Sequence, residues 1–194
     1  MIGPYRIEGY AIVSANGVIA DANGTMPDTI RNDADQRFLQ TELDRAAAIV
    51  HGRHSHEGGP RAARRKRLVV TRQISSIAPD PSLPNALLWN PAGATLQEAL
   101  AKLGVPSGTI AIIGGTDVFS MFLPCYDVFQ LTRAAFAQIP CGRPVFPSVG
   151  PRSAPEDALS GHGLKPGPRQ DIDAAAGITV TTWTREQVAE TRTA

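Results

Sequence analysis

Two stretches of the chain share one grammar, and it constrains the fold more than any other feature. In "AIVHGR" an apolar run at residues 48–50 meets His51 and then Gly52; in "TIAIIGGTDVF" a longer run stops at Gly114 and Gly115 before a helix start. Apolar runs of this length bounded by glycine read as buried strands, and a strand, a glycine turn and a helix in succession make one α/β unit. The same alternation fills the rest of the first two thirds. "YAIVSA" (10–15) reads as a strand stopped by Asn16 and Gly17, "RLVVT" (67–71) and "ALLWN" (86–90) as strands, and "DVFQLTRAAF" (127–136) as a longer one. Between them, residues 33–48 form a helix whose apolar face is Phe38, Leu39, Leu43, Ala46 and Ala47, with Asp33 and Gln36 spaced as a capping box. Residues 95–104 form a second helix, with Thr95 and Glu98 in that same spacing and Gly104 at its left-handed end. Residues 117–123 form a third, short helix before Pro124.

Strands alternating with helices predict an α/β fold with a mostly parallel sheet covered on both faces. Past Gly142 the pattern changes: proline and glycine crowd residues 150–176, which read as a loop-rich segment, and "GITVTTWTR" (177–185) completes the sheet as part of a C-terminal antiparallel hairpin. The 194 residues suit one domain over 1–194. Net charge is +1, so nothing global points to nucleic acid or an acidic membrane. Cys125 and Cys141 form no CxxC pair and read as free thiols in a reducing compartment. No apolar run nears the ~18 residues of a membrane helix, and no signal peptide is visible, so a cytoplasmic location is expected.

The histidines of "IVHGRHSHEGG" raise three readings. Metal binding by His51, His54 and His56 is disfavoured because their spacing does not stack ligands on one helix face. A solvated turn with incidental histidines is the second. The third is anion binding: a strand ends, Gly52 admits a close approach, a helical turn over residues 53–57 offers free N–H groups, and Arg53 and His54 add donors. The glycine pair at 114–115 supports the third, since two such turns at neighbouring strand ends could hold a pyrophosphate between them. Neither is a Walker loop or a GxGxxG fingerprint. Thr71 and Arg72, just past another strand, are a hydroxyl and a guanidinium suited to a ribose 2′-phosphate. The basic run of Arg61, Arg64, Arg65, Lys66 and Arg67 reads either as a solvated loop or as a long-range attractor for a polyanionic cofactor.

The stretches "SANGVIA" with "TMP" downstream, "GRHSHE", "KRLVVTR", "IIGGTDVF", "FLP", "LTR" and "VFP" occur in an order that resembles the dihydrofolate reductase family and the related reductase domain of riboflavin biosynthesis. The resemblance implies a mixed, mostly parallel sheet of about eight strands flanked by helices, and hydride transfer from NADPH to a C=N bond of a pterin or related heterocycle. It implies that Gly52, Arg53, His54 and Ser55 hold cofactor phosphates and that Thr71 and Arg72 grip the 2′-phosphate. Ile113, Gly114, Gly115, Thr116, Asp117 and Val118 fall on the pyrophosphate and nicotinamide-ribose side, with a cis peptide between the glycines. Ile12, Val18 and Ile19 would border the nicotinamide, and Thr25, Met26 and Pro27 would lie in a loop covering it. Met26, Phe38 and Thr132 are the expected substrate contacts, and no metal is expected.

The family keeps a carboxylate four residues before the phenylalanine matched here by Phe38, but that position is Ala34, flanked by Asp33 and Asp35. At ~3.6 residues per turn, Asp35 lies about 60° from Phe38 and Asp33 about 140° away, so Asp35 is expected in the pocket and Asp33 at the cap. Both remain candidate acids. Asp28 replaces the family's tryptophan after Met-Pro, which leaves the heterocycle open between a pterin and a ribosylaminopyrimidine. A phosphoribosyl substrate would need a basic anchor, for which Arg31, Arg37 and Arg133 are candidates. Other readings are a nucleotide-binding protein of the same fold without catalysis, and a metal-dependent or phosphoryl-transfer protein. The expected partner is a small heterocyclic substrate, with a homodimer as one option.

Overall fold

The computed structural model describes residues 2–55 and 61–186. The apolar runs become the strands of one nine-stranded sheet. In chain order these are β1 (Tyr5–Ser14), β3 (Ala48–Gly52), β4 (Arg67–Val70), β5 (Ile77–Pro79), β6 (Ala86–Trp89), β7 (Gly108–Ile112), β8 (Val128–Ala134), β10 (Leu164–Asp173) and β11 (Ile178–Arg185). Two short strands, β2 (Val18–Ala20) and β9 (Arg143–Pro144), pair apart from it. The spatial order is β10-β11-β8-β1-β7-β3-β4-β6-β5. The neighbours from β8 to β6 run parallel, while β11 joins β8, β10 joins β11 and β5 joins β6 antiparallel. The fold is therefore the expected mostly parallel α/β sheet with a C-terminal hairpin, one strand larger than expected.

Alternation along the strands divides the core. In β3, Val50 packs into the large cluster on one face, with Ile110 and Ile112 of β7, while Ile49 turns to the other face with Ala111. Helices α2 (Leu96–Lys102), α3 (Thr116–Phe122) and α4 (Pro155–Gly161) cover the first face through Leu96, Ala99, Leu100, Val118, Phe119, Phe122, Ala158 and Leu159. Helix α1 (Asp33–Arg45) covers the second through Leu43, Phe38 and Leu39, packed on Tyr10 and Ile49. Each fully buried aliphatic side chain of this kind contributes roughly 1.5–3 kcal/mol. The centre is tight enough that a Cβ on Gly9 of β1 would lie 2.3 Å from the Phe129 ring.

Three expectations need correction. The segment 150–176 is not loop-rich: it holds α4 and the ten-residue strand β10. Pro166 and Pro168 fit because β10 is an edge strand, mostly exposed, with a register shift between Pro166 and Arg169. The cap of α1 is Asn32, not Asp33, since the Asn32 side chain accepts from the amides of Ala34 and Asp35. An Asn32→Ala variant is expected to lose about 0.5–2 kcal/mol in a thermal or denaturant melt. An Asp33→Ala variant, at an exposed position, should stay within about 0.5 kcal/mol of the parent. Finally, the basic run is neither wholly solvated nor a free attractor. Arg65 and Arg67 are buried, Arg65 pairing with Asp44 at 2.6 Å and with Gln40 Oε1 at 2.8 Å, and Arg67 donating to the Ala62 carbonyl at 2.7 Å. Among the described residues no helix is long and apolar enough to cross a membrane.

Candidate active site

The parallel strands end together on one side of the sheet, and a cleft of about 1370 Å³ opens there. This is where α/β sheets hold ligands, because loops leaving the strand ends diverge and expose backbone amides. The two glycine turns meet in this cleft. The Gly52 amide donates to the Gly114 carbonyl at 2.7 Å, and the Gly114–Gly115 peptide is cis. The floor between them carries no side chain. A Cβ on Gly52 would lie 3.6 Å from Val118 and 3.7 Å from the Gly115 nitrogen; one on Gly115 would lie 3.3 Å from Ser55 Oγ. Gly114 has φ of 111°, a conformation that side chains rarely adopt.

Around these turns Arg53, His54 and Ser55 line the cleft beside Gly52, and Ile113, Gly115, Thr116, Asp117 and Val118 line it from the β7–α3 turn. Gly114 itself does not line it; it is buried behind the turn. Thr116 is anchored by donating its hydroxyl to the Pro144 carbonyl at 2.6 Å. Thr71 and Arg72 line the far wall. Thr71 is buried and its Oγ1 accepts from the Gln73 amide at 3.2 Å, whereas Arg72 is exposed. His51 is buried with Nδ1 2.8 Å from the Gly52 carbonyl oxygen, and His56 lies outside the described residues, as do residues 57–60. Among the described residues no group of three or more His, Cys, Asp or Glu side chains converges as a metal site.

The other end of the cleft is built by β1, β8 and α1. Ile12 and Thr132 are register partners on adjacent strands, as are Tyr10 and Gln130 two residues below, so all four side chains share one face. Asp35 projects from the first turn of α1 onto this face and accepts a hydrogen bond from the Thr132 hydroxyl. Asp35 is 6% exposed. Burial pushes its carboxyl up from 3.8 to about 6, and the Thr132 hydrogen bond only partly opposes this. Asp33 reaches only the exposed rim. Ile19, Met26 and Phe38 line the cleft between the two ends. The loop bearing Met26 is closed by Asp21, whose Oδ1 accepts from the Thr25 amide at 2.9 Å and whose own amide donates to the Thr25 carbonyl at 2.8 Å.

Of the three candidate anchors, Arg31 lines the cleft and lies 3.4 Å from Asp28. Arg133 is on the opposite face of β8, paired with Glu156 and donating to the Ala15 carbonyl at 3.1 Å. Arg37 is exposed and does not line the cleft. Reading the sequence missed Tyr10 and Gln130. Their only signal was the register of β1 against β8, which a lone sequence does not carry. Tyr10 donates to Glu8 Oε2 at 2.5 Å, and its hydroxyl is held far above its ordinary pKa, first by burial and then by Glu8.

Comparison with known proteins follows the same lines. No curated protein sequence matches the chain. Many solved structures resemble it in fold, among them the following three. One is a protein from Shewanella sp. PV-4 assigned to riboflavin biosynthesis, 18% identical over 94% of this chain and 99% of that one, with a TM-score of 0.64. Another is a diaminohydroxyphosphoribosylaminopyrimidine deaminase/5-amino-6-(5-phosphoribosylamino)uracil reductase from Thermotoga maritima, 14% identical, with a TM-score of 0.66, covering 93% of this chain and 56% of that one. The third is dihydrofolate reductase from Enterococcus faecalis complexed with NADP(H), 19% identical over 94% of this chain and 97% of that one, with a TM-score of 0.63. The family model for dihydrofolate reductase matches residues 6–153, which carry both glycine turns, Asp35 and Thr132. The chain belongs to the dihydrofolate reductase family.

Proposed function

We propose that the chain is an NADPH-dependent reductase that delivers hydride to a C=N bond of a pterin-like heterocycle. The observation that carries this reading is the continuity of the cleft: a glycine-floored, cation-edged end and a buried Asp35–Thr132 pair face one open volume. The first end fits a dinucleotide. Gly52 and Gly115 keep the turns free of side chains where a pyrophosphate would approach, Arg53 and His54 offer donors beside them, and Arg72 supplies a cation suited to a 2′-phosphate. The cofactor, when bound, supplies the hydride. Ile12 and Ile19 offer an apolar wall that excludes water. Asp35, held near neutrality by burial, keeps a proton available at its carboxyl for the substrate nitrogen.

A second reading is reduction of a ribosylaminopyrimidine of the riboflavin pathway. It is favoured by Arg31, a guanidinium in the cleft that could meet a substrate phosphate, and by Asp28 in place of the family's tryptophan. The test is NADPH oxidation followed by absorbance, with dihydrofolate in one arm and the phosphoribosylaminopyrimidine in the other. Turnover with dihydrofolate supports the first reading, and turnover with the pyrimidine alone supports the second. NADPH binding with neither turned over leaves a nucleotide-binding protein without catalysis.

A further inference from the structure

The substrate end of the cleft contains a polar group that neither cofactor binding nor proton delivery uses. Gln130 of β8 lines the cleft, two residues from Thr132 on the same face and opposite Tyr10 on β1. On its other side it is the register partner of Thr182 in β11. The Thr182 hydroxyl donates to Gln130 Oε1 at 2.8 Å, and in this orientation Nε2 is left as the amide's free donor. Among the described residues Nε2 has no protein partner and is not fully buried, and Gln130 is one of the residues that line the cleft. The neighbouring Tyr10 does not compete for this role, because its hydroxyl is turned away to Glu8.

Two residues along a strand span about 6.6 Å. Gln130 and Thr132, with Asp35 beside Thr132, therefore offer a donor and an acceptor along a stretch of the cleft about the size of one heterocyclic ring with its exocyclic oxygen. Together they are complementary to a cyclic amide edge, where a ring N–H sits beside a carbonyl. We propose that Gln130 is a specificity-determining residue that donates its side-chain amide to a ring carbonyl of the substrate, so that the site selects lactam-bearing pyrimidine rings over their amino analogues. This rests on the reductase reading but is indifferent to which heterocycle is reduced, since pterins and uracils both carry a lactam edge. An amino group in place of the carbonyl would set donor against donor.

The test compares binding of pterin with that of the diaminopteridine in which an amino group replaces the oxo group. Dissociation constants are measured by fluorescence in the wild type, Gln130→Glu, Gln130→Ala and Thr182→Val. Asp35 is present in all four proteins, and because Gln130→Glu also adds a carboxylate near it, the uncharged Gln130→Ala and Thr182→Val are the variants whose change in ratio reports residue 130 with the acid unaltered. Gln130→Glu keeps the shape, accepts from Thr182 as before and presents an acceptor to the cleft. It should move the ratio toward the diaminopteridine by roughly 10-fold or more, the usual consequence of an unmade buried hydrogen bond. Gln130→Ala should weaken pterin and narrow the ratio, and Thr182→Val should narrow it partway by freeing the amide to turn over. NADPH titration and thermal melts of the same proteins separate the two layers of argument. If the wild type binds no NADPH, the reductase reading fails. If NADPH binds but the ratio is the same in wild type and Gln130→Glu, or the wild type binds neither pteridine, the role of Gln130 is overturned.

Discussion

Replacing Asp35 with asparagine is expected to cut turnover on the order of 10²-fold or more while leaving NADPH affinity unchanged, because a general acid contributes about that much and the cofactor end of the cleft is separate. The same substitution should stabilise the protein near neutral pH. The folded-state carboxyl titrates at about 6 against an ordinary 3.8, owing first to burial, so the folded chain holds more protons than the unfolded one between those values. Stability from this group is therefore complete below about pH 4 and is lost as pH rises through about 6. The loss is on the order of 1–3 kcal/mol, because each tenfold change in proton affinity between the folded and unfolded chain is worth about 1.4 kcal/mol. Melts of wild type and Asp35→Asn across pH 4–8, with turnover over the same range, read both effects. Wild-type turnover should fall as pH rises through about 6, and the variant should show neither that step nor the matching loss of stability. A variant that keeps full turnover removes Asp35 from the chemistry. An Asp33→Asn variant that loses it would hand the role to the exposed acid at the rim.

NADPH is expected to bind roughly 10- to 150-fold more tightly than NADH, the span of a charge-assisted contact that only the 2′-phosphate can make. Arg72 carries that expectation. It lines the cleft beside buried Thr71 and makes no ion pair among the described residues. Arg72→Ala should bring NADPH close to NADH while changing NADH little, and added salt should erode the wild-type preference first, because an exposed guanidinium is readily screened. Fluorescence titration of both cofactors at low and high ionic strength provides the measurement. Equal affinities in the wild type would defeat the assignment of Arg72.

Much of this molecule was legible in its sequence. The strand–glycine–helix units at Gly52 and Gly114–Gly115 announced an α/β sheet and marked the strand ends where the cleft opens. The Thr95–Glu98 capping box was readable because it is local: both hydrogen bonds join residues three apart. Helical periodicity separated Asp35 from Asp33, since an angle around one helix needs no knowledge of its neighbours. What tertiary structure alone decided is everything set by pairing between distant segments. Pro166 and Pro168 looked like loop because proline cannot donate to a sheet; only the position of β10 at the edge, with one neighbour, removes that demand. Arg65 looked solvated until α1 brought Asp44 and Gln40 against it. Gln130 was invisible because its meaning depends on Thr182 and Tyr10, 52 and 120 positions away in the chain, which only the register of β8 with β11 and β1 brings together. Sequence sets what a segment prefers by itself, whereas a site is made of side chains from several segments, and their juxtaposition is set by strand register and packing.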